Sequence, residues 1–186
     1  AAMFAAVATA LVVLLIAAPS RAPKERPATG HRVGTGPWLT IPDGWAAVWG
    51  SYTTPCCNGV TRVLRVSNAP TLPGFATDQG GEAAAAALTP RQMIIEVTAF
   101  PADPRTNWPT ARLPVRVGAA DFRLPYEGQA TAVLAIRNVV IGGVPTTIRV
   151  GIDPRPQVIT ARPALPAYGP QLIAQANRVL ATLRVP

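Results

Sequence analysis

Negative charge is scarce in this chain of 186 residues: nine carboxylates face seventeen basic side chains, and Lys24 is the sole lysine. His31 is the only histidine, and Cys56 and Cys57 are the only cysteines. One imidazole and two adjacent thiols fall short of the four spaced ligands of a structural zinc site. A Ser–His–Asp hydrolase would need His31, which lies in an N-terminal spacer, and none of Ser20, Ser51 and Ser67 stands in a Gly-x-Ser-x-Gly turn. The glycines of His31-Arg32-Val33-Gly34-Thr35-Gly36 lack the flanking strand and helix that would make them a phosphate cradle. No Cys-x-x-Cys-His run offers a haem attachment, and the scattered acids present no distinctive pair. The expectation is a protein that is not an enzyme and carries no cofactor and no metal.

The formal net charge is +8, almost all of it arginine. Such a skew from lysine to arginine is what a GC-rich genome produces. A basic surface admits nucleic acid, anionic lipid headgroups or an acidic protein as partner. Nucleic acid is set aside, because the arginines are scattered and no zinc-finger, helix-turn-helix or RNA-binding aromatic pattern is present. Arg21, Lys24 and Arg26, just after an apolar run, are the candidates for headgroup contact, at up to about 1 kcal/mol each near an anionic surface.

That apolar run, residues 1–18, holds no charged side chain and centres on Leu11-Val12-Val13-Leu14-Leu15-Ile16. As a helix it is about 27 Å long, close to the hydrocarbon thickness of about 30 Å. It opens without an initiator Met, and residues upstream of Ala1 are expected. Ala18-Pro19-Ser20 and Ser20-Arg21-Ala22 are candidate signal-peptide cleavage sites, the second disfavoured by Pro23. The reading adopted is an uncleaved transmembrane anchor over 1–18, with Ala2, Ala6 and Ala10 as a candidate small-residue face for a neighbouring helix. Residues 19–37, with Pro19, Pro23, Pro27 and Pro37, form an extended Pro/Arg-rich spacer. The basic flank by itself favours the cytoplasm. The Pro-rich spacer and paired cysteines favour export, so the domain at 38–186 is expected on the extracytoplasmic side of a cell membrane.

The domain begins with Trp38-Leu39-Thr40-Ile41, a Pro42-Asp43-Gly44 turn with proline at its second position, and Trp45-Ala46-Ala47-Val48-Trp49, which together predict a hairpin. Val60–Val66 is a strand candidate, and Ala83–Leu88 a short helical turn ended by Pro90. Met93, Ile95, Val97 and Ala99 alternate with Gln92, Glu96 and Thr98, the pattern of a half-buried strand. A proline-rich stretch over 101–119 leads to short strands near Asp121–Leu124. Residues 130–140 and 144–152 flank Gly142-Gly143 as a second hairpin. A two-residue loop would pair Arg137 with Ile148 among apolar side chains, so a three-residue loop, Ile141-Gly142-Gly143, is preferred.

Gly169-Pro170 starts a closing helix whose Leu172, Ile173, Ala176, Val179, Leu180 and Leu183 recur at helical spacing. The fold expected is α+β: an N-terminal transmembrane helix, then a mainly antiparallel sheet with a C-terminal amphipathic helix packed on it. The Pro42-Asp43-Gly44-Trp45 opening, the Gly-Gly hairpin and the final Val179-Leu180-Ala181-Thr182-Leu183 resemble small exported or membrane-anchored domains common in actinobacteria, some built like the PsbP-type α/β sandwich. That resemblance spans about 38–186. It implies an accessory or assembly factor of a larger membrane protein complex, and it assigns no site residue. The alternative is a membrane-anchored module that binds a small ligand or lipid.

Two features stand outside the resemblance. Cys56 and Cys57 are neighbours, nearer in Cα separation than ordinary disulfide partners. Two plain thiols, a strained vicinal disulfide and a link to another chain all remain open. Among the tryptophans, Trp45 and Trp49 have the period-two spacing of core positions. Trp108, in the proline-rich stretch, is the interface candidate.

Overall fold

The computed structural model describes residues 36–54, 59–69, 71–72, 81–103, 105–123, 133–152 and 165–186. The anchor with Ala2, Ala6 and Ala10, the basic residues Arg21, Lys24 and Arg26, His31, and the Cys56-Cys57 pair lie outside the described residues. Among the described residues, no helix is long and apolar enough to cross a membrane.

The elements run β1 (Ala46–Thr54), β2 (Gly59–Ser67), α1 (Gly81–Ala86), β3 (Met93–Ala99), β4 (Phe122–Arg123), β5 (Val133–Ile141), β6 (Val144–Ile152) and α2 (Gly169–Leu180). The strands form one six-stranded sheet in the order β1-β2-β3-β6-β5-β4, antiparallel throughout. With only two α-helices among the described residues, this is an α+β fold dominated by sheet.

The expected hairpin of 38–41 with 45–49 does not form. Its turn does: the Trp45 N–H donates to the Pro42 carbonyl at 3.1 Å, and Gly44 takes the left-handed φ of +78° that the third turn position demands. Pro42 therefore holds the first turn position and not the second. The preceding segment leaves the sheet, burying Leu39 and Ile41 in the core while Trp38 pairs with Arg184 near the C-terminus. β1 instead pairs with β2 over its whole length, from Ala46↔Ser67 to Thr54↔Gly59. A nine-residue ladder outcompetes a four-residue one.

The Gly-Gly hairpin also differs from expectation. Ile141 pairs with Val144, and Arg137 lies opposite Ile148, so the loop has two residues. Gly142 and Gly143 have φ of +59° and +86°, the pair of left-handed positions that a type I′ turn requires and that matches strand twist. The objection to this register was an unpaired charge on the apolar face. It fails because β4 is only two residues long. At Arg137 no strand covers the outer edge of β5 among the described residues, and its guanidinium reaches Asp121 at 2.8 Å.

Alternation along the strands gives the sheet two faces. Leu64, Val66, Met93, Ile95, Val97, Ile148, Val150 and Ile152 line one, and α2 buries Leu172, Ala176, Val179 and Leu180 in the same cluster. Leu183 is fully buried there too, although the helix has already ended. Ile173 is half-buried against the cluster. The Asn177 side-chain amide exchanges two hydrogen bonds with the backbone of Val117, fastening the 115–117 segment to α2. The opposite face carries a smaller cluster of Ala69, Leu72, Ala84, Ala85, Leu88 and Ile94, where α1 packs. β3 is consequently buried on both faces, Glu96 and Thr98 included, and not half-buried as its alternation implied.

Candidate functional site

The sheet treats its two edges differently. Beyond β5 the edge is partly closed by β4 at one end and at the other by Thr110, bridged parallel to Val140. β1 forms the other edge, and among the described residues nothing pairs with its outer side. Its sequence, Ala-Ala-Val-Trp-Gly-Ser-Tyr-Thr-Thr, contains no proline and no charge, the usual devices that keep an edge from recruiting another strand. Gly50, Ser51, Tyr52 and Thr53 are exposed.

Beside this edge lies a groove of about 320 Å³, lined by Gly36, Pro37, Trp49, Ser51, Val60 and Arg62 together with neighbouring parts of β1 and β2. The registers Trp49↔Leu64, Ser51↔Arg62 and Thr53↔Val60 put Trp49, Ser51, Val60 and Arg62 on the same face of the sheet. Trp49 is half-buried against the core, whereas Val60 is 46% exposed. The end of the spacer crosses this face, and a Cβ on Gly36 would stand 3.1 Å from Arg62 Cδ. Glycine at 36 thus lets the chain lie directly on the arginine stem. Arg62 is half-buried, and among the described residues its side chain takes part in no hydrogen bond or ion pair. A half-buried arginine whose guanidinium has no acceptor among the described residues is the polar element of this site, since its N–H donors are geometrically suited to carboxylates.

A second charged constellation crosses the other face. The registers align Arg65, Glu96 and Arg149 across β2, β3 and β6. Arg65 Nε donates to Glu96 Oε2 at 2.6 Å, and Arg149 Nη1 donates to Oε1 at 3.3 Å. Arg65 and Glu96 are buried, at 5% and 6% exposure. Arg149 Nε is buried without an acceptor among the described residues. Glu96 spends both oxygens on its arginines, so this row reads as a structural ion-pair ladder inside the sheet.

Trp108 stands half-buried, its ring edge-on to Phe100 with centroids 5.8 Å apart and planes at 81°. Nearby, the Asp103 carboxylate accepts from the Arg105 N–H at 2.9 Å and from Arg105 Nε at 3.3 Å. The backbone bond, then the side-chain bond, holds the Asp103 pKa below its ordinary value. Trp38 lies under the Arg184 guanidinium, 5.8 Å from its ring centre. Among the described residues no three His, Cys, Asp or Glu side chains gather as a metal site would need.

Sequence reasoning missed the groove, although Arg62 carried a signal. Val60, Arg62, Leu64 and Val66 share one face, so an arginine interrupts an apolar period-two row. No family model, curated protein or solved structure matches this chain.

Proposed function

We propose that this protein is a non-catalytic accessory subunit or assembly factor of a larger membrane protein complex, with the 38–186 domain as its binding module. The observation carrying this reading is the uncharged edge of β1, unpaired among the described residues, bordered by a groove whose arginine has no acceptor among those residues. Exposed strand edges are templates for pairing with another chain, and a long one is an aggregation hazard unless something covers it. The apolar run at 1–18 supports a single-pass anchor, and Arg21, Lys24 and Arg26 supply cations at headgroup level. The domain sits on the extracytoplasmic side.

The test is purification of the full chain from its own membranes in mild detergent. It is expected to migrate with a larger assembly, and its deletion to lower the amount of that assembly. Recovery as a lone monomer, with the assembly intact in its absence, would sink the reading. Protease added to spheroplasts is expected to digest the domain; protection until lysis would place it in the cytoplasm.

The second reading, a module for a small ligand, draws on the groove itself, whose volume of about 320 Å³ is near the lower end of ligand sites. An acid with a short apolar tail would set its carboxylate on Arg62 and its tail on Trp49 and Val60. The groove lies along β1 and β2.

A further inference from the structure

We infer that the β1 edge takes an extended acidic segment of a partner protein as a seventh strand, one of whose carboxylates reaches over Ser51 to Arg62. The inference rests on the accessory-subunit reading and names the chemistry of the partner at that site. A strand added outside β1 would lie one interstrand spacing, about 4.8 Å, from it, and two spacings, about 9.6 Å, from β2. Arg62 stands opposite Ser51 in the β1–β2 register. A residue of the new strand opposite Ser51 would complete this row on the same face. The combined arms of an arginine and a glutamate or aspartate span two spacings. The side chain between them is a serine, small enough to be passed over, and the groove leaves that passage open.

Charge decides the occupant. Neither β1 nor β2 contains a carboxylate. Pairing β1 with β1 of a second copy would bring two Arg62 side chains toward one interface and supply neither with a counter-ion. An acidic strand satisfies the guanidinium and complements a chain of net charge +8. The main-chain ladder would give affinity, and the carboxylate register would give specificity. Residues flanking the carboxylate on the groove side would meet Trp49 and Val60, so apolar side chains fit there.

The test uses the full chain in detergent and three capped nine-residue peptides of alternating Thr and Val, with Glu, Gln or Lys at the centre. Amide hydrogen exchange maps the site while titration gives the affinities. The Glu peptide is expected to slow exchange along β1 and to bind at least about tenfold more tightly than the Gln peptide, with the Lys peptide weakest. Arg62→Gln should abolish the preference for Glu over Gln while leaving the slowed exchange, and Arg62→Lys should keep the preference. Equal binding of the three peptides, or protection confined to another face, would overturn the inference. So would doubling of mass with protected β1 amides before any peptide is added, which would make a second copy the occupant. Hexanoate binding to the groove with no peptide bound at β1 would overturn it in favour of a small-molecule site. If discrimination fails while the chain still co-purifies with its assembly, this site is wrong and the accessory role stands. Peptide discrimination by a chain that purifies as a lone monomer keeps the site and removes the role.

Discussion

Buried charge shows at the scale of single residues what burial costs and how a partner offsets it. Glu96 holds two arginines, one buried with it and one with a side chain 39% exposed. Glu96→Gln keeps the shape and removes the carboxylate charge that faces the buried Arg65 guanidinium. The expected loss is about 3–5 kcal/mol, measured by denaturant unfolding. Replacing both buried partners, Arg65→Met with Glu96→Leu, should cost much less, because the buried carboxylate and the buried guanidinium leave together and the Arg149 side chain is 39% exposed. Equal losses in the two variants would show that the row stabilises the sheet through something other than its charges. Asp103 is the exposed counterpart. Its lowered pKa means that its bonds to Arg105 are complete above the ordinary Asp value of 3.8 and are lost as pH falls through the lower folded value. Because the backbone N–H of residue 105 is the leading cause, Arg105→Ala should leave part of the shift in place. An NMR titration of the Asp103 carboxyl checks this, and return to the ordinary midpoint would assign the shift to the guanidinium instead. The sequence displayed these acids and arginines but not their pairing, which depends on strand register.

Whole elements were more legible than the connections between them. Met93–Ala99 is a strand as its alternation implied, although both of its faces are buried, and α2 begins at Gly169 beside Pro170 as its start signal implied. Periodicity along one segment is a local property and survives folding. The two hairpins turned on competition between partners, which is not local. The sequence predicts a strand over residues 38–41, yet the Trp38 and Arg184 backbones exchange two 3.0 Å bonds, and the Thr40 N–H donates to Thr182 Oγ1 at 2.8 Å. That segment belongs to the α2 side of the core because its true partner is 142 residues away at Thr182. Arg137 misled for a related reason: the acid that satisfies it sits in the short 3-10 turn before β4, at Asp121. The open edge of β1 was equally hidden, since an edge is defined by what fails to pair. For α2 the sequence expectation yields a measurement. Leu180 is fully buried among residues of the sheet, so Leu180→Ala should destabilise by about 2–5 kcal/mol, the range for a large-to-small core change. A change below about half a kcal/mol would contradict its place in the core.

For the molecule as a whole, the two ends of the domain meet. Trp38 and Arg184 pair, the arginine covers the indole, and Leu183 and Leu39 are both buried in the same cluster. The chain arriving from the N-terminal side therefore enters the domain at Gly36 and Pro37, which also line the groove beside β1. If residues 1–18 anchor the protein, the docking edge lies at the root of its tether and not at the far pole of the domain. On the same expectation, an extended proline-rich spacer over 19–37 would set the reach, spanning up to roughly 60 Å at about 3.1 Å per residue. Tethering raises the effective concentration of the docking edge only when the linker can reach its site. Deleting residues 20–32 should accordingly leave the unfolding midpoint of the domain unchanged, since the Gly36–Arg62 contact and the Trp38–Arg184 bridge are retained. Co-purification with the assembly should fall sharply, and replacing the deleted residues with a proline-rich segment of equal length should restore it. A deletion that lowers the midpoint would show that the spacer contributes to the fold. Full co-purification despite the deletion would show that the domain docks without needing its reach.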